Sequence, residues 1–124
     1  MKIQESAENY LEVILMLTER NGTVRSIDIV NETGFTKPSI SVAMKRLREN
    51  GYVEMDAQGY ITFTPRGREI AERIYTRHRM LTKCLVALGV NPETAREDAC
   101  RIEHVISQET FDRLVEHLER MQNT

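Results

Sequence analysis

Six glycines (22, 34, 51, 59, 67 and 89) and three prolines (38, 65 and 92) cut this chain into segments, and few of those segments can be anything but helices. Glycine tolerates left-handed backbone and proline lacks an amide hydrogen, so both mark where an element starts or stops. Between the breaks, apolar residues recur at three- and four-residue spacing, the period of a helix with one buried face. Residues 5–20 place Ala7, Tyr10, Leu11, Ile14, Leu15 and Leu17 on one face and stop at Asn21-Gly22. A short helix is predicted over Ser26 to Thr33, a turn at Gly34-Phe35-Thr36, and a second helix from Thr36 or Lys37 to about Asn50, with Pro38 in its first turn. Residues 52–63 alternate in character around Asp56-Ala57-Gln58-Gly59, the signature of a β-hairpin. Thr64-Pro65 opens a long helix with the stripe Ile70, Ile74, His78, Leu81, Leu85, Leu88 and a stop at Gly89. Asn91-Pro92 opens another to about Ile106, and Gln108 to about Met121 forms a last one bearing Phe111, Leu114, Val115 and Leu118.

The fold class expected is therefore mainly α with one small hairpin. A short helix, a tight turn, a second helix and a hairpin, in that order, make a winged helix-turn-helix, whose second helix enters the major groove of DNA. A net charge of −2 argues against a strongly basic binder, but its distribution does not. Residues 61–90 hold six basic and two acidic side chains, residues 91–124 four basic and eight acidic. A polyanion suits the first of these segments and a cation or partner subunit the second. On the predicted second helix, Ile40, Ala43, Met44 and Leu47 share one side. Lys37, Pro38, Ser39, Ser41, Val42, Lys45, Arg46 and Arg48 share the other. Hydroxyls and cations there match phosphates and base edges, and Val42 a thymine methyl. Thr36 at the helix start, with Arg25 and Ser26 at the preceding helix start, completes the expected DNA-contacting set; an ordinary solvated face is the plainer alternative. The hairpin tip has no basic residue, so at most backbone contacts are expected from it.

No run approaches the roughly 20 apolar residues of a membrane span. The polar start Met1-Lys2-Ile3-Gln4-Glu5-Ser6 lacks the apolar core of a secretory signal. A cytoplasmic protein with no membrane partner is expected, with Cys84 and Cys100 as reduced thiols.

A second pattern lies in the acidic half. His78 interrupts the apolar stripe of the long helix and needs a partner. Cys100, Glu103 and His104 are spaced i, i+3, i+4 and share a helical face. A thiolate, a carboxylate and two imidazoles form a donor set for a divalent transition ion, and Asn9 and Glu12, one turn apart on the first helix, add oxygens. Taken one at a time, His78 reads equally as a core histidine, Cys100 as a small buried residue and Glu103 as half of an ion pair. Cys84 and His117 read as structural. A metal-independent winged-helix dimer remains a rival reading. A small metal-dependent hydrolase is another, weakened by the lack of a separate base or nucleophile.

Glu8-Asn-Tyr-Leu-Glu12, Lys37-Pro-Ser-Ile-Ser-Val42, Arg77-His-Arg79 and Asp98-Ala-Cys-Arg-Ile-Glu-His-Val105 resemble, along almost the whole chain, the diphtheria toxin repressor family and its manganese-transport-regulator relatives. The resemblance implies a homodimeric winged-helix repressor that binds a palindromic operator on double-stranded DNA when loaded with Fe²⁺ or Mn²⁺. It implies His78, Cys100, Glu103 and His104 as metal ligands, the first helix completing the sphere. Asn9 stands where iron repressors have methionine and manganese regulators aspartate; Glu12 matches the manganese type and Cys100 the iron type. A thiolate favours a softer ion than Mn²⁺, so Fe²⁺ is expected first and Mn²⁺ next, with Zn²⁺, Co²⁺ or Ni²⁺ able to substitute. Thr82 and Arg96 stand where iron repressors carry glutamate and histidine, so the family's ancillary site is expected to be missing, as is the SH3-like domain of longer members. The expected layout is a DNA-binding domain over 1–63, a linking helix over 64–90, and a dimerisation and metal-binding region over 91–124.

Overall fold

The computed structural model describes residues 5–122. Met1-Lys2-Ile3-Gln4, most of the start read above against a secretory signal, lies outside them, as do Asn123 and Thr124. The chain divides into two compact units at Glu72–Arg73.

The first unit contains α1 (Glu5–Asn21), α2 (Ser26–Thr33), α3 (Lys37–Glu49), β1 (Val53–Met55), β2 (Ile61–Phe63) and the first turns of α4 (Pro65–Ala87). Leu11, Ile14, Leu15 and Leu17 of α1 and Ile40, Met44 and Leu47 of α3 are buried as predicted, Ala7, Tyr10 and Ala43 on the same faces are only half-buried, and Val24 and the α2 residue Ile29 join this core. Thr36 starts α3: its hydroxyl accepts a hydrogen bond from the Ser39 amide at 3.3 Å, satisfying an amide that has no carbonyl in the first turn. Gly34 takes φ 76° after α2, and its amide closes on the Val30 carbonyl, so the turn between the two helices needs a residue without Cβ strain. The strands pair antiparallel with Val53 opposite Phe63, Glu54 opposite Thr62 and Met55 opposite Ile61. Asp56 builds the tip, its carboxylate accepting from the amides of Gln58 and Tyr60 at 2.9 Å each. One bridge goes beyond the predicted hairpin: Arg25 pairs with Tyr60, and the Ile61 amide donates to the Val24 carbonyl at 2.8 Å, which fastens the wing to the start of α2.

In the second unit, the rest of α4 meets α5 (Pro92–Ile102) and α6 (Gln108–Gln122) around Leu81, Ala99 and Phe111, with Met80, Ile102, Ile106, Leu114 and Val115 packed against them. Two expectations are corrected here. The stripe of α4 does not extend to Leu88, which is 71% exposed beyond the helix end at Ala87. Nor does α5 reach Ile106: it ends at Ile102, and Glu103 to Val105 form a turn. Ser107 causes the early stop by starting α6, its hydroxyl accepting from the Thr110 amide at 3.1 Å and its carbonyl from the Phe111 amide at 3.1 Å.

Candidate functional site

In the first unit, the two-faced reading of α3 is realised in its packing. Ile40, Met44 and Leu47 are buried, while Lys37, Pro38, Ser39, Ser41, Val42, Lys45, Arg46 and Arg48 are exposed; Val42 is 51% exposed on an otherwise polar surface. The hydroxyls of Thr36 and Ser39 bond each other at 2.9 Å as part of the helix cap, so they shape the helix start as well as lining it. Lys45 approaches Glu49 only to 4.0 Å, both well exposed, a pairing too weak to neutralise the face. Arg25 precedes α2, its amide donating to the Asp28 carboxylate at 2.8 Å, and its guanidinium carbon lies 4.3 Å from the centre of the Tyr60 ring. A cation is thereby held on the hairpin just after its tip, a feature that a search of the tip itself for basic residues misses. Ser26 is half-buried at the start of α2.

On α1, Glu12 is buried and Asn9 half-buried; Glu8, one turn before Glu12, is also buried.

In the second unit, Glu103 is the centre of the polar cluster. Its side chain has no exposure, and its two oxygens face two imidazoles: His78 Nδ1 stands 3.0 Å from Oε2, and His104 Nε2 stands 3.4 Å from Oε1. The His104 side chain is 1% exposed, although the residue as a whole is half-buried. An ionised carboxylate this deep is costly unless cations or donor hydrogens meet its oxygens. Glu103 keeps helical backbone (φ −59°, ψ −25°) as the C-cap of α5, which sets its side chain one turn beyond Ala99. His104 follows in the turn, not in the regular helix that the i, i+4 spacing predicts. Cys100, half-buried on the last full turn of α5, and Cys84 of α4 are not joined in a disulfide. Burial pushes the Cys84 thiol up, and it donates weakly to the Leu114 carbonyl at 3.7 Å, a structural role. His117 is exposed on α6.

These residues suit a transition ion: two imidazoles and a buried carboxylate, with the Cys100 thiol three residues before Glu103 on α5, are nitrogen, oxygen and sulfur donors of the softness that Fe²⁺, Co²⁺ or Zn²⁺ takes. Arg77, noted above only as part of the Arg77-His-Arg79 stretch, has a role that the sequence does not reveal. Its guanidinium donates to the carbonyls of Glu103 and Ile106 at 3.1 and 3.2 Å and to the Gln108 amide oxygen at 2.8 Å, across the turn that carries Glu103 and His104. The available signal was its place beside His78 on a helix with an apolar stripe.

A helix-turn-helix with a two-stranded wing, followed by a helical unit with a buried carboxylate between imidazoles, defines a winged-helix regulator with a metal-binding helical domain. Residues 2–60 match the family described as iron dependent repressor, N-terminal DNA binding domain, and residues 64–124 match iron dependent repressor, metal binding and dimerisation domain. The chain is 35% identical over 109 residues to the transcriptional regulator MntR of Salmonella typhimurium, covering 88% of this chain and 69% of that one. It is 30% identical to an uncharacterized HTH-type transcriptional regulator of Methanocaldococcus jannaschii over 98% of both chains. Among solved structures, a manganese-dependent transcriptional repressor in complex with manganese superposes with a TM-score of 0.82 at 29% identity, over 91% of this chain. The chain spans about half the length of that solved relative, 52% of it. This chain belongs to the diphtheria toxin repressor and manganese transport regulator family of metal-dependent transcriptional regulators.

Proposed function

We propose that this chain is a cytoplasmic, metal-activated repressor of iron or manganese homeostasis genes, binding a palindromic operator on double-stranded DNA as a homodimer joined through its C-terminal helices. The observation that carries the reading is the Glu103 carboxylate, wholly buried between the His78 and His104 rings. In this proposal His78, Cys100, Glu103 and His104 hold the ion, with Asn9 and Glu12 of α1 supplying further oxygens. When bound, the ion supplies two positive charges to a donor set drawn from α1 and from the helical unit, so that its binding energy favours one arrangement of the recognition helices. A shift of one to two powers of ten towards the DNA-competent state takes only about 1.4 to 2.8 kcal/mol of differential affinity. The protein groups do the rest. Lys37, Lys45, Arg46 and Arg48 neutralise phosphates, Arg25 and Ser26 contact the backbone beside the wing, and Thr36, Pro38, Ser39 and Ser41 bring the start of α3 close to the groove. Val42 lies against a thymine methyl. Two recognition helices from a two-fold dimer demand a two-fold-symmetric site. The division of labour is DNA binding in 1–63, a linking helix in 64–90, and dimerisation with metal binding in 91–124. No catalytic step is assigned to the ion.

The Cys100 thiol supports Fe²⁺ as the co-repressor, because sulfur ligands discriminate against Mn²⁺. Mn²⁺ is the second reading, supported by the similarity to MntR of Salmonella typhimurium and by Glu12 on α1. Anaerobic selection from a random duplex pool, at one salt concentration and in parallel with chelator, Fe²⁺ and Mn²⁺, tests both. Enrichment of a symmetric site only with metal is expected, strongest with Fe²⁺. Equal enrichment in chelator refutes the co-repressor mechanism.

A further inference from the structure

The turn from Glu103 to Ser107 presents two of the proposed ligands. Its Glu103 amide donates to the Ala99 carbonyl, and the amides of Val105 and Ile106 share the Ile102 carbonyl. The carbonyls of Glu103 and Ile106, on either side of the turn, both accept hydrogen bonds from outside it. One side chain meets both. Arg77 Nη1 donates to the Glu103 carbonyl at 3.1 Å and to the Ile106 carbonyl at 3.2 Å. Its Nη2 donates to Gln108 Oε1 at 2.8 Å, and the Gln108 amide nitrogen in turn donates to Asp112 at 2.8 Å, tying the strap into the first turn of α6. The guanidinium carbon lies 5.4 Å from the centre of the Phe111 ring, and Phe111 belongs to the core of this unit. Arg77 therefore joins α4 to both the turn and α6 and is braced by an aromatic face.

We infer that Arg77 is a positioning residue of the metal centre: by clasping the carbonyls on either side of His104, it aims Glu103 and His104 at His78, its own neighbour on α4. The inference rests on the metal-binding reading and adds to it the part that preorganises the donors. Lysine cannot replace arginine here. A guanidinium is a planar fork with donors fixed in direction, whereas an ammonium is a point charge that reaches one carbonyl at a time. Groups that orient metal ligands typically change affinity by about 10- to 100-fold when removed.

The test compares Arg77→Lys, Gln108→Ala, Leu114→Ala, His104→Ala and the parent in anaerobic Co²⁺ titrations, reading the dissociation constant and the visible absorption spectrum alongside thermal unfolding. Leu114 packs against the same core but takes no side-chain part in the strap, so Leu114→Ala supplies the effect of lost stability alone. The expected result is a weakening of Co²⁺ binding by roughly tenfold or more in Arg77→Lys, with an altered spectrum, a smaller weakening in Gln108→Ala, and little change in Leu114→Ala. Co²⁺ binding by Arg77→Lys within about twofold of the parent, or weakened no more than in a Leu114→Ala protein of equal Tm, while His104→Ala loses binding, overturns the role of Arg77 and leaves the metal site standing. Unchanged binding by His104→Ala overturns both.

Discussion

Gly67 poses a question of sign that the structure answers. It sits in the first turn of α4 without positive φ, so helix propensity alone predicts that Gly67→Ala stabilises the protein by about 1 kcal/mol. Packing predicts the opposite. A Cβ on Gly67 falls 1.8 Å from the Tyr52 carbonyl oxygen and 2.7 Å from its carbon, where an ordinary carbon–oxygen contact is about 3.3 Å or longer. The neighbour is main chain and cannot rotate away, so α4 and the Tyr52 peptide must part by roughly 1.5 Å. That carbonyl accepts the Thr64 amide at 3.1 Å and lies 3.1 Å from the Thr64 hydroxyl, which also donates to the Gly51 carbonyl at 2.6 Å and accepts from the Gly67 amide at 3.1 Å. Losing two or three of these bonds, at about 1 kcal/mol each, and straining the helix start costs about 3 to 4 kcal/mol. After the propensity gain, a net loss of about 2 to 3 kcal/mol remains, or a Tm lower by about 10 °C for a chain of this size. Thermal unfolding followed by far-UV circular dichroism measures it. A Gly67→Ala protein as stable as the parent, or more so, refutes the close approach of α4 to the Tyr52 peptide.

Cys100→Ser is expected to abolish the thiolate-to-cobalt charge-transfer band of the Co²⁺-loaded protein while His78, Glu103 and His104 still bind the ion; a band of undiminished intensity removes Cys100 from the ligand set. His104→Ala should lose metal-stimulated operator binding in electrophoretic shift assays while keeping weak, salt-sensitive non-specific binding, and full metal response in that variant removes the imidazole from the site. Lys45→Ala should weaken binding to all DNA sequences alike and lower the slope of log K against log salt by about 1, whereas Val42→Ser should relax preference at one position with the slope unchanged; a slope unaltered by Lys45→Ala takes that lysine off the phosphate. Because burial raises the Cys84 thiol above its ordinary value of 9.0, the unfolded chain releases this proton first as pH rises. The contribution of Cys84 to stability is thus complete below pH 9 and declines above it; denaturant unfolding at pH 8 and 10 should show a steeper loss in the parent than in Cys84→Ala, and equal losses contradict the burial.

Much of this architecture is legible along the chain because it depends on local chemistry. The apolar faces of α1 and α3, the hairpin around Asp56 and the proline-marked starts of α3, α4 and α5 follow from periodicity and turn residues, which act within about four positions. The candidate ligands stand out for a similar reason: a histidine on an apolar stripe, and cysteine, glutamate and histidine within five residues, are incongruous wherever they fall. Legibility fails where two signals compete at close range. The apolar spacing of Ala99, Ile102 and Ile106 continues past the end of α5, and only the start of α6 at Ser107 decides against it.

What the sequence by itself determines is the set of elements, their buried faces and the residue types available for DNA and metal, since these are properties of segments. What only the tertiary structure decides is which groups meet. That Glu103 is wholly buried against His78, that Arg77 clasps the turn carrying Glu103 and His104, that Arg25 lies on the Tyr60 ring, and that Gly67 must lack a side chain beneath the Tyr52 carbonyl all join residues 15 to 35 positions apart. No periodicity encodes those pairs, because each depends on the distance and angle at which two separately formed elements pack.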